Sequence, residues 1–173
     1  MRYLSFLILL TFLGFVPPAQ ANDGTVLTVF PGSRAPSCYT LAEAEAEQAI
    51  RIHSELMVIS LNCQHLWPSS QTNLYRQYKQ FTLDKGTLLA AYERTLVNFY
   101  ARQGRDAEAS INSLRTKFAN KVSADAAVMR PDAFCEVYAP RIPKAARMTD
   151  SQIRKWAATF YPKHPVSVPL CTQ

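Results

Sequence analysis

Glycine is scarce in this sequence, with 5 among 173 residues. A loop that cradles phosphate needs several glycines close together, so a nucleotide-binding loop is excluded. No Cys-x-x-Cys occurs, the spacing that keeps one thiolate reactive and a second near enough to resolve it. No Cys-x-x-Cys-His occurs either, which excludes covalent haem attachment. No Gly-x-Ser-x-Gly elbow accompanies Ser54, Ser60, Ser110 or Ser113, so serine hydrolysis has no recognisable start. With only three histidines, metal chemistry is limited to a thin suggestion. His53 and Met57 stand four apart on a helical stretch, with Glu47 and Glu55 nearby, as soft-metal pairs do. A half-buried helical histidine beside an ordinary methionine is the plainer reading. His65 and His164 fall in expected loops beside Trp67 and Tyr161. The residues therefore predict no catalytic group, no cofactor and no metal, and a protein that is not an enzyme.

Only one long apolar run is present, Leu4 to Val16, and it sits behind Arg2 and ahead of Pro17-Pro18. Ala19-Gln20-Ala21 follows, the small-x-small pattern that signal peptidase accepts, so residues 1–21 read as a signal peptide cleaved after Ala21. With that segment gone, no transmembrane segment is expected in the mature chain. The four cysteines, Cys38, Cys63, Cys135 and Cys171, all follow it, and an even number in an oxidising compartment reads as two disulfides. The short positive start and the Ala-x-Ala site fit the bacterial periplasm, where nucleic acid is not expected as a partner.

What remains suits one domain. Residues 22–37 form an extended N-terminal segment with one alternating piece, Thr25 to Phe30, and residues 38–173 a single helical, disulfide-linked domain. The expected fold class is all-α: an antiparallel helical bundle of about five helices with two disulfides and extended termini. Thr40 and Glu43 make a capping box. Leu41, Ala44, Ala49, Ile52, Leu56, Ile59 and Cys63 then recur at helical spacing, giving a first helix from about Thr40 to Asn62. Glu43, Glu45 and Glu47 read as dipole-favouring, solvated residues scattered over its faces. Ser69 or Ser70 is the expected cap of the second helix. Leu74, Tyr78, Phe81, Lys85, Leu88, Tyr92, Thr95 and Phe99 keep one phase through Gly86, which predicts one long helix to Arg102, with a break at Gly86 as the alternative. Asp106 caps a third helix with Ile111, Leu114, Phe118 and Val122 on one face. Pro131 opens a short fourth, and Pro140 and Pro143 break the chain. Thr149 and Gln152 box the last helix, whose buried face is Ile153, Trp156, Ala157 and Phe160. Pro162, Pro165 and Pro169 keep the end extended.

Helix length constrains the disulfides. Cys38 and Cys63 flank a helix of about 33 Å at 1.5 Å per residue, and a disulfide tolerates no more than about 7 Å between Cα atoms. These two cannot join each other. Alternating chain direction favours Cys63–Cys135 and Cys38–Cys171 over the crossed pairing, the second bridge tying the extended termini together.

Basic residues number 19 and acidic ones 13, and the excess is uneven. From Arg130 to His164 the chain carries Arg130, Arg141, Lys144, Arg147, Arg154, Lys155 and Lys163 against Asp132, Glu136 and Asp150. Arg141, Lys144, Arg147, Arg154, Lys155 and Lys163 form the candidate interaction surface, suited to an envelope protein or another anionic envelope component. The leading expectation is a non-enzymatic periplasmic binding module. The alternative is a carrier of a small apolar or metal ligand in the bundle, since the frequent tyrosines and phenylalanines could line a groove between helices.

Ser-Cys-Tyr-Thr-Leu-Ala-Glu (Ser37 to Glu43), Leu-Asn-Cys-Gln (Leu61 to Gln64), Asn-Leu-Tyr-Arg-Gln-Tyr-Lys-Gln-Phe (Asn73 to Phe81) and Met-Arg-Pro-Asp-Ala-Phe-Cys (Met129 to Cys135) together resemble uncharacterised small exported proteins of Gram-negative bacteria. Those are helical and cysteine-paired, and the resemblance implies no activity and no functional residue. The cysteine-rich helical start followed by Asn-Leu-Tyr-x-x-Tyr (Asn73 to Tyr78) is also similar to the LprI-type lysozyme inhibitors, which implies a second alternative, inhibition of a lysozyme.

Overall fold

A computed structural model describes residues 37–171. The expected signal peptide, and the extended segment up to residue 36 with its alternating piece, lie outside the described residues. Helices account for the architecture: α1 (Leu41–Cys63), α2 (Leu74–Asp84), α3 (Gly86–Arg102), α4 (Ala107–Val128), α5 (Pro131–Tyr138), α6 (Arg141–Ala146) and α7 (Asp150–Ala157). Among the described residues the only β pairing is two isolated bridges, Tyr39 with Leu170 and Tyr161 with His164. No described helix is long and apolar enough to cross a membrane.

The first helix starts where its capping box puts it. Thr40 N–H donates to Glu43 Oε2 at 2.8 Å, and Glu43 N–H donates to Thr40 Oγ1 at 3.3 Å. From there α1 runs through the middle of the bundle and touches every other helix. Its apolar residues Ala44, Ala49, Ile50, Leu56 and Ile59 are buried, joined by Phe81, Leu96, Phe118, Phe134 and Ile153 from its neighbours. Leu41, expected on the buried face, is exposed, while Tyr39, Glu43 and Ala44 around it are buried.

Side-chain pairs give the directions. Tyr78 meets His53, while Tyr92 meets Glu45 and Arg102 meets Glu43, so α2 and α3 descend against α1. Arg51 lies over Phe118, its Cζ 4.4 Å from the ring centre, and Glu93 binds Arg115, so α4 rises again beside α3. Cys63 at the end of α1 is thereby brought to Cys135 on α5, with Cα atoms 5.4 Å apart. The other bridge joins Cys38 to Cys171 with Cα atoms 4.9 Å apart. Both are the pairing that alternating chain direction favours.

The count of about five helices rises to seven for two local reasons. The long second helix is nicked at Lys85, whose φ of −100° and ψ of 8° leave the helical range. The nick is shallow: Lys85 N–H donates to Phe81 O and Leu89 N–H to Lys85 O, both at 2.9 Å. Tyr78, Phe81, Leu88, Tyr92 and Phe99 are buried on both sides of it, which is why the phase continues. Glycine disfavours helix by about 1 kcal/mol relative to alanine, and the Lys85 ammonium is held by Asp150 at 2.8 Å, so the interruption falls there. The second reason is α6, where Pro140 and Pro143 were expected to break the chain. Both sit at the start of a short helix, where a missing N–H removes no helical bond.

Two smaller expectations also shift. Asn73, not Ser69 or Ser70, caps α2 by accepting from Tyr75 and Arg76 N–H. The last helix stops at Ala157, leaving Phe160 exposed beyond it. His53, half-buried against α2, is hydrogen-bonded through Nε2 to Tyr78 Oη at 3.0 Å and to Thr82 Oγ1 at 3.2 Å. Burial, and secondarily Arg115, pushes its imidazole down to about 4. Among the described residues no cluster of three or more metal-binding side chains occurs.

Gly86 offers a clean test of the nick. A Cβ there would meet nothing within 4 Å, so Gly86→Ala should raise stability by about 0.5–1 kcal/mol, read as a higher urea midpoint at unchanged slope. A loss of stability would show that the nick is required by the fold.

Candidate functional site

Helix α1 carries a charged row that its position makes unusual. Glu43, Glu47, Arg51 and Glu55 are spaced by four and so share one face, and all four are buried, Glu47 with no exposure at all. This corrects the expectation that the early glutamates are solvated. Glu43 closes the capping box and accepts from Arg102. Glu45, on another face, accepts from Tyr92 Oη. Glu47 accepts from both the N–H and the hydroxyl of Ser167. A buried carboxylate without such donors would cost several kcal/mol.

The row binds the C-terminal tail. Gln48 Nε2 donates to His164 O at 3.0 Å, and Arg51 Nη2 donates to Pro165 O at 2.7 Å. Tyr39 N–H donates to Pro169 O and Cys171 N–H to Tyr39 O, at 2.8 and 2.9 Å. The tail prolines lack N–H donors and cannot form a helix of their own here, so the tail's backbone finds its partners on α1 and on Tyr39. Lys121 Nζ fixes it from α4 by donating to Lys163 O at 2.8 Å.

The tail held on α1 in this way walls a cleft of about 840 Å³ together with α1, α6 and α7. Its lining is mostly apolar, with Ile52 from α1, Met148 and Trp156. Arg141, Lys144, Lys155 and Lys163 also line it, from α6, α7 and the tail. The structure thus gathers four of the six residues of the expected basic surface around one opening. Arg147 and Arg154 do not line it. Arg147 caps the end of α6, and Arg154 reaches back to Tyr92, its Cζ 5.8 Å from the ring centre.

A side chamber of about 450 Å³ adjoins the cleft and shares Glu55, Arg141, Lys163 and His164 with it. Lys121, Val122, Asp125 and Tyr138 complete it. Glu55 stands at the junction, 8% exposed. Its carboxylate lies 4.0 Å from Arg141 Nη1 and 3.7 Å from His164 Nδ1. Burial pushes the Glu55 carboxyl up, and Arg51, Arg141 and Lys121 only partly offset that. His164 is pushed down, by burial first and then by Lys121, Arg51 and Arg141. It is therefore neutral at pH 7, with Nδ1 facing Arg51 Nη1 at 3.3 Å as acceptor, and its approach to Glu55 is not an ion pair. Burial also disfavours the Arg51 charge, and Arg51 Nε has no hydrogen-bond partner. Arg51, His164 and Lys121 were not singled out in the sequence as parts of a site, and Glu55 was named only beside His53 and Met57. The spacing of four from Glu43 to Glu55 was the available signal.

A carboxyl held above its unfolded value is most favourable to stability below that value, and the contribution is lost as pH rises through the folded one. Glu55→Gln should therefore raise the melting temperature at pH 7, with the gain shrinking as pH falls toward the ordinary carboxylate range. A melting temperature lowered at pH 7 would show that the Arg51 and Arg141 contacts outweigh burial. Compared with known proteins, the chain matches no family model, no curated protein and no solved structure, so the functional reading rests on the chemistry of the cleft.

Proposed function

We propose that the protein is a non-enzymatic binding module of the bacterial periplasm, and that the basic cleft is where it takes hold of an anionic envelope component. The observation that carries this reading is the convergence of Arg141, Lys144, Lys155 and Lys163 on one mostly apolar opening. Lys144 and Lys155 have no ion-pair partner among the described salt bridges. Like charges held around low-dielectric walls focus their field on the opening and draw in acidic groups. The positive charge and apolar surface of the lining support the binding of an anionic partner. Two disulfides and the lack of a membrane-crossing helix among the described residues agree with life outside the cytoplasm.

The test is co-sedimentation of the disulfide-intact protein with isolated bacterial envelopes. Lys144→Glu with Lys155→Glu should cut the bound fraction several-fold, as should high salt, which screens exposed charges. Both residues are exposed, so the melting temperature should stay within about 2 °C of the parent. Undiminished sedimentation of the folded double variant would rule out the cleft as the contact.

A further inference from the structure

The cleft and its side chamber differ in chemistry, and that difference specifies a ligand. The outer cleft offers Ile52, Met148 and Trp156. The side chamber brings together Lys121 from α4, Arg141 from α6 and Lys163 from the tail. Lys121 and Lys163 are in direct contact through the Lys121 bond to the Lys163 carbonyl. Two carboxylates share the chamber, but neither neutralises the cluster closely. Asp125 accepts from Tyr138 Oη at 3.3 Å, and Glu55 comes no nearer than 4.0 Å to Arg141. The three cations outnumber the two carboxylates that line the chamber with them.

Resting on the binding reading above, we propose that the two compartments form one site for a single-chain, phosphate-headed amphiphile of the lysophospholipid class. The chain would lie along Ile52, Met148 and Trp156, with the phosphate between Lys121, Arg141 and Lys163. Three cations from three separate elements suit the several oxygens of a tetrahedral phosphate better than a planar carboxylate, which a guanidinium alone can satisfy. The cleft is of the size that encloses one small ligand, so one aliphatic chain is accommodated rather than a bilayer surface.

The experiment is calorimetric titration of the disulfide-intact protein, with tryptophan fluorescence recorded in parallel. The probe is lauroyl-lysophosphatidylglycerol, kept below its micelle concentration. Dodecyl maltoside supplies the same chain length without charge, and inorganic phosphate supplies the head without a chain. A single saturable site is expected for the lysophospholipid, with each comparison probe at least about tenfold weaker. Lys121→Gln and Trp156→Ala should each weaken the lysophospholipid about tenfold. Lys121 is exposed and donates to the tail carbonyl, so an unchanged melting curve and an unchanged Ser167 amide protection must show that the variant keeps both fold and tail. Equal binding of the charged and neutral chains, or full affinity in Lys121→Gln, would overturn the assignment of the chamber. Absence of any lysophospholipid binding would overturn the inference, whereas the binding module itself stands or falls on the Lys144 and Lys155 variant.

Discussion

Glu47 lies wholly inside the protein, and the N–H and hydroxyl of Ser167 are what make that position tolerable. Burying a carboxylate is costly unless donors reach it, and the donors here come from a segment 120 residues away in the chain. The same holds one and four residues further along α1, where Gln48 and Arg51 bind the carbonyls of His164 and Pro165. Helix α1 can therefore sit at the centre of the bundle only if the C-terminal tail lies across its polar row. The tail, with prolines at 162, 165 and 169, has little way to satisfy its own backbone. Each supplies what the other lacks.

The Cys38–Cys171 bridge makes this arrangement durable. It closes a loop with a sequence separation of 133, and linking distant positions removes disorder from the unfolded chain, a contribution of roughly 2–5 kcal/mol for native bridges in small exported domains. Tyr39 adds a backbone bond on each side of the bridge, and its ring packs against Phe99 with centres 4.6 Å apart. Because the tail is pinned at both its polar and its covalent contacts, it walls a lasting cleft together with α1, α6 and α7. The cations on its rim are then a consequence of where Arg141, Lys144, Lys155 and Lys163 fall along three separate elements.

Much of the fold was legible because its signals are local. The capping boxes at Thr40 and Thr149, the Asp106 cap and Pro131 at the start of α5 are each set within a few residues. Helix length and alternating direction sufficed for the disulfides, since a rigid rod keeps Cys38 from Cys63. The nick at Lys85 was harder to read: the apolar stripe continues through it, so periodicity alone could not separate one helix from two. Phe160 fell outside α7 because its spacing fits the helix but the helix ends first. Of the site, the basic residues were legible as a composition bias, while their division into four that line the cleft and two that do not depends on tertiary packing. Glu43 and Glu47 read as solvated in the sequence because charge usually marks an exposed face. The tail, arriving from the far end of the chain, covers Glu47 and Arg51, while Arg102 covers Glu43.

The central claim is that the polar row of α1 holds the tail and so maintains the cleft. Amide hydrogen exchange at Ser167, compared between the parent and Glu47→Ala with the Cys38–Cys171 bridge intact in both, tests it most directly. The account predicts a protected Ser167 amide in the parent and fast exchange there in the variant, while the amides of α1 and α4 stay protected. An unprotected Ser167 amide in the parent, or one whose protection survives the loss of Glu47, would contradict it.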